Sequence, residues 1–191
     1  MASAAARANW PGVSITLTLA ACALQLAPAE LAAVLAYDRT ALLGGQWWRL
    51  WSCHLVHYSA AHALSDGTVV LLCGWLLEPT LGRRRLCLTL GWSSALIALL
   101  LLLWVPALSE YRGLSALAVM LMSMTLITLW RQRRLPRPWL ALLASLLLLK
   151  TGAEALGMMP ASQALPADIQ LVWQAHVLGM VCGVLNTLPA R

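Results

Sequence analysis

The sequence predicts an all-α fold: a polytopic membrane helical bundle of six transmembrane helices forming one integral domain over residues 1–191. Three observations carry that expectation. Hydrophobic residues make up 61% of the chain and charged residues only 10%, a balance far from that of an ordinary soluble domain. Apolar runs long enough to cross a hydrocarbon core of roughly 30 Å recur along almost the whole sequence, leaving short connections between them. Trp10, Trp47, Trp48, Trp51, Trp104, Trp130, Trp139 and Trp173 fall at or near run ends, where an amphipathic indole suits the headgroup layer, although Trp75 and Trp92 do not.

The expected spans cover about 13 to 36, 60 to 79, 86 to 108, 114 to 130, 138 to 156 and 168 to 188. An even number of spans puts both termini on one side. That side holds Arg7, Arg83, Arg84, Arg85, Arg131, Arg133, Arg134, Arg137 and Arg191, against Arg39, Arg49, Arg112 and Lys150 on the other, so the positive-inside rule makes both termini cytoplasmic. The loops with Asp38, Glu110 and Asp168 then face outward. The longest, about 37 to 59, is Trp-rich and amphipathic and suits a structured loop lying in the interface. At the start, Leu19-Ala20-Ala21-Cys22 after Arg7 also fits a lipoprotein signal, but the run before Cys22 is short, and continuing it to Ala36 gives a full span.

The net charge of +6 does not indicate nucleic acid, because the arginines cluster between apolar runs instead of forming a stripe with interleaved aromatics. Cys22, Cys53, Cys73, Cys87 and Cys182 are scattered without CxxC spacing, so neither a disulfide framework nor a zinc site is expected.

Polar and ionisable residues inside a bilayer are costly, so each one needs a partner or a purpose. His62 and Asp66 are four residues apart on one helical face, with His57 just before the span. Ser115 falls in the first turn of a helix entering from outside, where unpaired N–H groups and the positive helix end favour a developing oxyanion. Gly113, two residues earlier, leaves room for close approach of a substrate backbone. His176 lies at comparable depth on the last span, and Gly179 and Gly183 give that span a small-xxx-small face for close packing. A Ser–His pair is enough for nucleophilic catalysis when another feature orients the base.

Each of these residues also has a structural reading. A membrane serine commonly bonds a carbonyl one turn back, His62 and Asp66 suit a buried structural pair, and His57 suits a loop cap. His54 reads as solvated or interfacial. Lys150 and Glu154, one turn apart near an outer helix end, read as a pair that snorkels. A metal site from His54, His57, His62 and Asp66 is disfavoured, since two of these lie outside the span and no HExxH pattern occurs.

In order, spacing and helix placement, His57, His62, Asp66, the Gly113-Leu114-Ser115 turn and Ala175-His176-x-x-Gly179-x-x-x-Gly183 resemble the rhomboid intramembrane serine proteases. Trp48-Arg49 resembles that family's WR motif. The resemblance implies a rhomboid-like fold and an endopeptidase for membrane-anchored proteins, with no metal or organic cofactor. It further implies that Ser115 is the nucleophile and His176 the base, with His62 and the Ser115 N–H holding the oxyanion. Ala116 replaces the usual Gly after the serine, a small change in a helical first turn. Asp66 stands where the family has Asn: an amide donates to an oxyanion, an ionised carboxylate repels it, and only a protonated Asp, which burial favours, could donate in its place.

Within the family, the short chain and the Tyr-Arg-Gly-Leu-Ser context look most like the rhombosortase branch. That branch implies a multi-pass enzyme of the bacterial inner membrane with its site opening to the periplasm. Its substrates would be exported proteins ending in a Gly-Gly signal, an apolar helix and a basic tail. The alternative is a catalytically inactive rhomboid-like protein that binds membrane clients.

Overall fold

A computed structural model describes residues 10–158 and 172–188. Arg7, Asp168 and Arg191, and the first residues of the sixth expected span, lie outside the described residues.

The chain begins with α1 (Gly12–Leu24) and α2 (Ala29–Leu35). The single span expected over 13 to 36 is therefore two helices. Pro28 is the reason: it cannot continue the hydrogen-bond ladder and it disfavours helical backbone at Ala27, so the chain turns and restarts with Pro28 as the N-cap of α2. Next come β1 (Tyr37–Asp38), α3 (Arg39–Leu43) and α4 (Arg49–Ser52), which build the structured loop expected over 37 to 59. Asp38 caps α3 by accepting from the Ala41 N–H at 2.7 Å. Arg49 is buried and donates to the carbonyls of Ala33 and Ala36 at 2.8 and 2.5 Å, which ties the loop to the end of α2. Trp47, Trp48 and Trp51 remain about half exposed at the rim.

The long helices follow: α5 (Ala60–Leu81), α6 (Arg83–Trp104), α7 (Ser115–Gln132), α8 (Arg137–Ala155) and α9 (Trp173–Thr187). Between α6 and α7, β2 (Glu110–Tyr111) pairs antiparallel with β1, placing Tyr37 opposite Tyr111. Among the described residues α5, α6 and α8 are long and apolar enough to cross a membrane; α1 is apolar but shorter.

The core sits around α7, which packs against α5, α6, α8 and α9. Its residues are buried almost all round, as expected of a helix enclosed by other helices. Two seams of small residues set the neighbours. On α9, a Cβ on Gly179 would lie 2.2 Å from the Ala116 carbonyl oxygen, and one on Gly183 would lie 2.6 Å from that of Met120, so α7 and α9 run parallel in near backbone contact. On α5, the missing side chains of Gly67 and Gly74 make room for Thr18 and Ser14, so α1 runs antiparallel to α5. At the opposite end of the bundle from Ser115, Glu78 accepts from the Val13 N–H and from Arg83, joining α1, α5 and α6. Asn186 bonds Trp92 and Ser93, which fixes α9 on α6.

Candidate active site

The start of α7 is held by three hydrogen bonds that involve residues 111–114. The Gly113 N–H donates to the Cys53 carbonyl at 3.0 Å, the Leu114 N–H to His57 Nε2 at 3.1 Å, and the Tyr111 hydroxyl to the Gly113 carbonyl at 3.1 Å. Gly113 has φ +126°, in the region that favours glycine. Ser115 then enters the first helical turn half-buried, with the Tyr111 hydroxyl beside it. Burial raises the Tyr111 phenol above its ordinary range, so it stays protonated as a donor.

His57 thus bonds the turn that precedes Ser115, in keeping with a loop-capping role. Because Nε2 accepts from Leu114, the neutral ring carries its proton on Nδ1. His54 departs from the expectation of a solvated or interfacial residue. It is 1% exposed, donates from Nε2 to the Ser94 carbonyl at 3.1 Å and meets Tyr111 edge-on at 5.7 Å. The segment after α4 folds inward between α6 and the approach to α7, and loop burial of that kind is a tertiary outcome. Burial lowers the His54 pKa to about 4 and keeps the ring neutral.

His62 and Asp66 come together as their spacing predicts, with His62 Nε2 3.2 Å from Asp66 Oδ2. His57 Nε2 is 3.5 Å from the same oxygen, and the two imidazoles meet edge-on at 5.0 Å. Neither nitrogen lines up with Asp66 Oδ2 as a hydrogen bond, so this buried oxygen has no hydrogen-bond partner among the described residues. Gly113 faces this pair. A Cβ there would lie 2.9 Å from the His62 ring and 3.4 Å from Asp66 Oδ2. Its missing side chain makes room for His62, where the sequence suggested room for a substrate backbone.

His176 is buried in the first turn of α9. The register of Gly179 on Ala116 and Gly183 on Met120 puts His176 and Ser115 within about 3 Å of the same depth, at 1.5 Å rise per residue. No hydrogen bond joins the two among the described residues. Catalytic hydrogen bonds of this type are often long or misaligned without substrate and tighten on binding.

His176 Nδ1 lies 2.7 Å from Glu154 Oε2. Sequence reasoning missed this contact. The Lys150–Glu154 pair forms as expected, but Glu154 does not snorkel: its side chain is 1% exposed and reaches across to α9. The available signal was a carboxylate near the end of an expected span, level with His176.

The Rhomboid domain family model matches residues 44–190, from the Trp-rich loop to the end of α9. Comparison with curated proteins finds no match.

Proposed function

The chain belongs to the rhomboid family, whose members act on membrane proteins within the bilayer, and from that membership and the site geometry we propose that it is an active intramembrane serine endopeptidase. One observation carries the reading. Ser115 heads the enclosed helix α7, and glycine packing sets His176 level with it on the parallel α9.

In the proposed reaction Ser115 Oγ attacks the scissile carbonyl carbon while His176 Nε2 takes the hydroxyl proton. The tetrahedral intermediate collapses, the C–N bond breaks, and the leaving amine receives that proton from Nε2. Water, deprotonated by the same nitrogen, then attacks the acyl-enzyme, and the proton returns to Ser115 Oγ. Backbone N–H groups of the first turn of α7 and His62 stabilise the oxyanion. Substrates are membrane-anchored chains that lose helical structure near the scissile bond, because a helix hides its backbone.

The finer reading is a rhombosortase of the bacterial inner membrane. In it six crossings put both termini in the cytoplasm, and the site opens to the periplasm onto proteins with a C-terminal Gly-Gly, an apolar helix and a basic tail. The Tyr111-Arg112-Gly113-Leu114-Ser115 context supports this assignment. A second reading, an inactive protein that retains membrane clients, is favoured by one observation: Asp66 Oδ2, an acceptor that no hydrogen bond reaches among the described residues, lies beside His62 near the expected oxyanion position.

Covalent labelling by a fluorophosphonate separates the two readings. Ser115 Oγ would displace fluoride, with the hydroxyl proton passing to His176. The purified parent should label, and Ser115→Ala and His176→Ala should each lower the rate on the order of 10³-fold or more. A folded parent that resists the probe would move the client-binding reading ahead.

A further inference from the structure

We propose that Glu154 is a positioning residue for His176, completing a Ser115–His176–Glu154 triad on two outer helices and the central one; this rests on the endopeptidase reading above. The carboxylate oxygen Glu154 Oε2, 2.7 Å from His176 Nδ1, can only accept. It therefore keeps the proton on Nδ1 and leaves Nε2 with its lone pair, the form a general base needs. When Nε2 takes the proton from Ser115, the imidazolium that forms already has a carboxylate against it. Both side chains are nearly sealed, at 6% and 1% exposure, so that attraction acts with little solvent screening.

The carboxylate is itself held. Lys150, whose side chain is 48% exposed, binds the other oxygen, Oε1, from one turn back, which leaves Oε2 for the imidazole. Glu154 also continues the buried stripe of α8, after Leu140, Leu147 and Thr151, so the fold turns it inward. A clamp between α8 and α9 is the competing role. Clamping gives little reason for charge at this place, since a buried ion pair is often no more stabilising than an apolar contact of the same volume.

The whole chain in detergent tests this with four variants, Glu154→Gln, Glu154→Asp, Ser115→Ala and His176→Ala. Fluorophosphonate labelling rates are read beside the 15N spectra of labelled histidine, with the His176 signals assigned by their loss in His176→Ala. Glu154→Gln should lower the labelling rate roughly 10²-fold or more, and should shift His176 away from the Nδ1-protonated tautomer. Glu154→Asp, which keeps the charge, should label at least about tenfold faster than Glu154→Gln. If Glu154→Gln labels at the parent rate while Ser115→Ala is silent, the positioning role is overturned and the endopeptidase reading stands. If the parent itself is never labelled while the spectra show the paired tautomer, the endopeptidase reading falls, and the pair is a clamp.

Discussion

Asp66 places an acceptor where the proposed reaction calls for a donor. Its Oδ2 is 3.5 Å from His57 Nε2, and that nitrogen already spends its lone pair on the Leu114 N–H. Two electron-rich atoms so close repel unless a proton is shared nearby, and His62 Nε2, 3.2 Å from the same oxygen, is the group placed to supply it. An amide at this position would bring its own N–H. Asp66→Asn should therefore label with fluorophosphonate at the parent rate or faster; a loss of tenfold or more would show that the carboxylate itself is required. Ser115, His176, His62 and Asp66 were legible as candidates because a polar group at membrane depth stands out against apolar neighbours, and His57 and Gly113 by their places just before those helices. Glu154 and His54 were not. Lys150, one turn away, supplied Glu154 with a sufficient local partner, and its second partner sits on another helix. For His54 no periodicity in the sequence reports that its loop turns inward.

The α7–α9 seam is where helix packing becomes site geometry. The obstacle to a side chain at Gly179 is the carbonyl of Ala116, which is backbone and cannot rotate away, and Ala116 adjoins Ser115. Relieving a 2.2 Å contact requires the helices to part by roughly 1 Å, and a misplacement of that size in a catalytic pair costs on the order of 10²-fold in rate. Gly179→Ala should accordingly lose about that much labelling and melt at lower temperature. Gly91→Ala and Gly152→Ala are the controls, since among the described residues no neighbouring atom lies within 4 Å of a Cβ at either position. They should keep the parent rate and melt at or slightly above the parent temperature, as alanine is the better helix former by up to about 1 kcal/mol. Equal losses in all three variants would contradict a seam-specific effect. The small-xxx-small spacing announced this contact, and the Trp-rich loop announced itself as structured. The break at Pro28 could also have been foreseen from the proline, whereas the pairing of Tyr37 with Tyr111 depends on the distant approach of two loops.

For the molecule as a whole, length and charge bear differently on how it sits in a bilayer. Helices α5, α6 and α8 qualify as spans by themselves, whereas α1, with 13 residues, rises only about 20 Å. The enclosed α7 is under less demand, because its flanks meet protein instead of lipid. Charge separates the two ends. Near Ser115, Arg39 and Arg49 are spent on backbone carbonyls, while Arg112 and Lys150 pair with Glu110 and Glu154. At the opposite end Arg84, Arg133 and Arg134 are exposed, the arrangement expected of a cytoplasmic face. The topology proposed from this asymmetry puts Trp47 outside and Arg134 inside. In a variant with the five cysteines replaced, Trp47→Cys should react with an impermeant maleimide on whole cells, and Arg134→Cys should react only after the membrane is opened. The reverse pattern would turn the bundle over and place the Ser115 end in the cytoplasm, out of reach of exported substrates even with the catalytic chemistry intact.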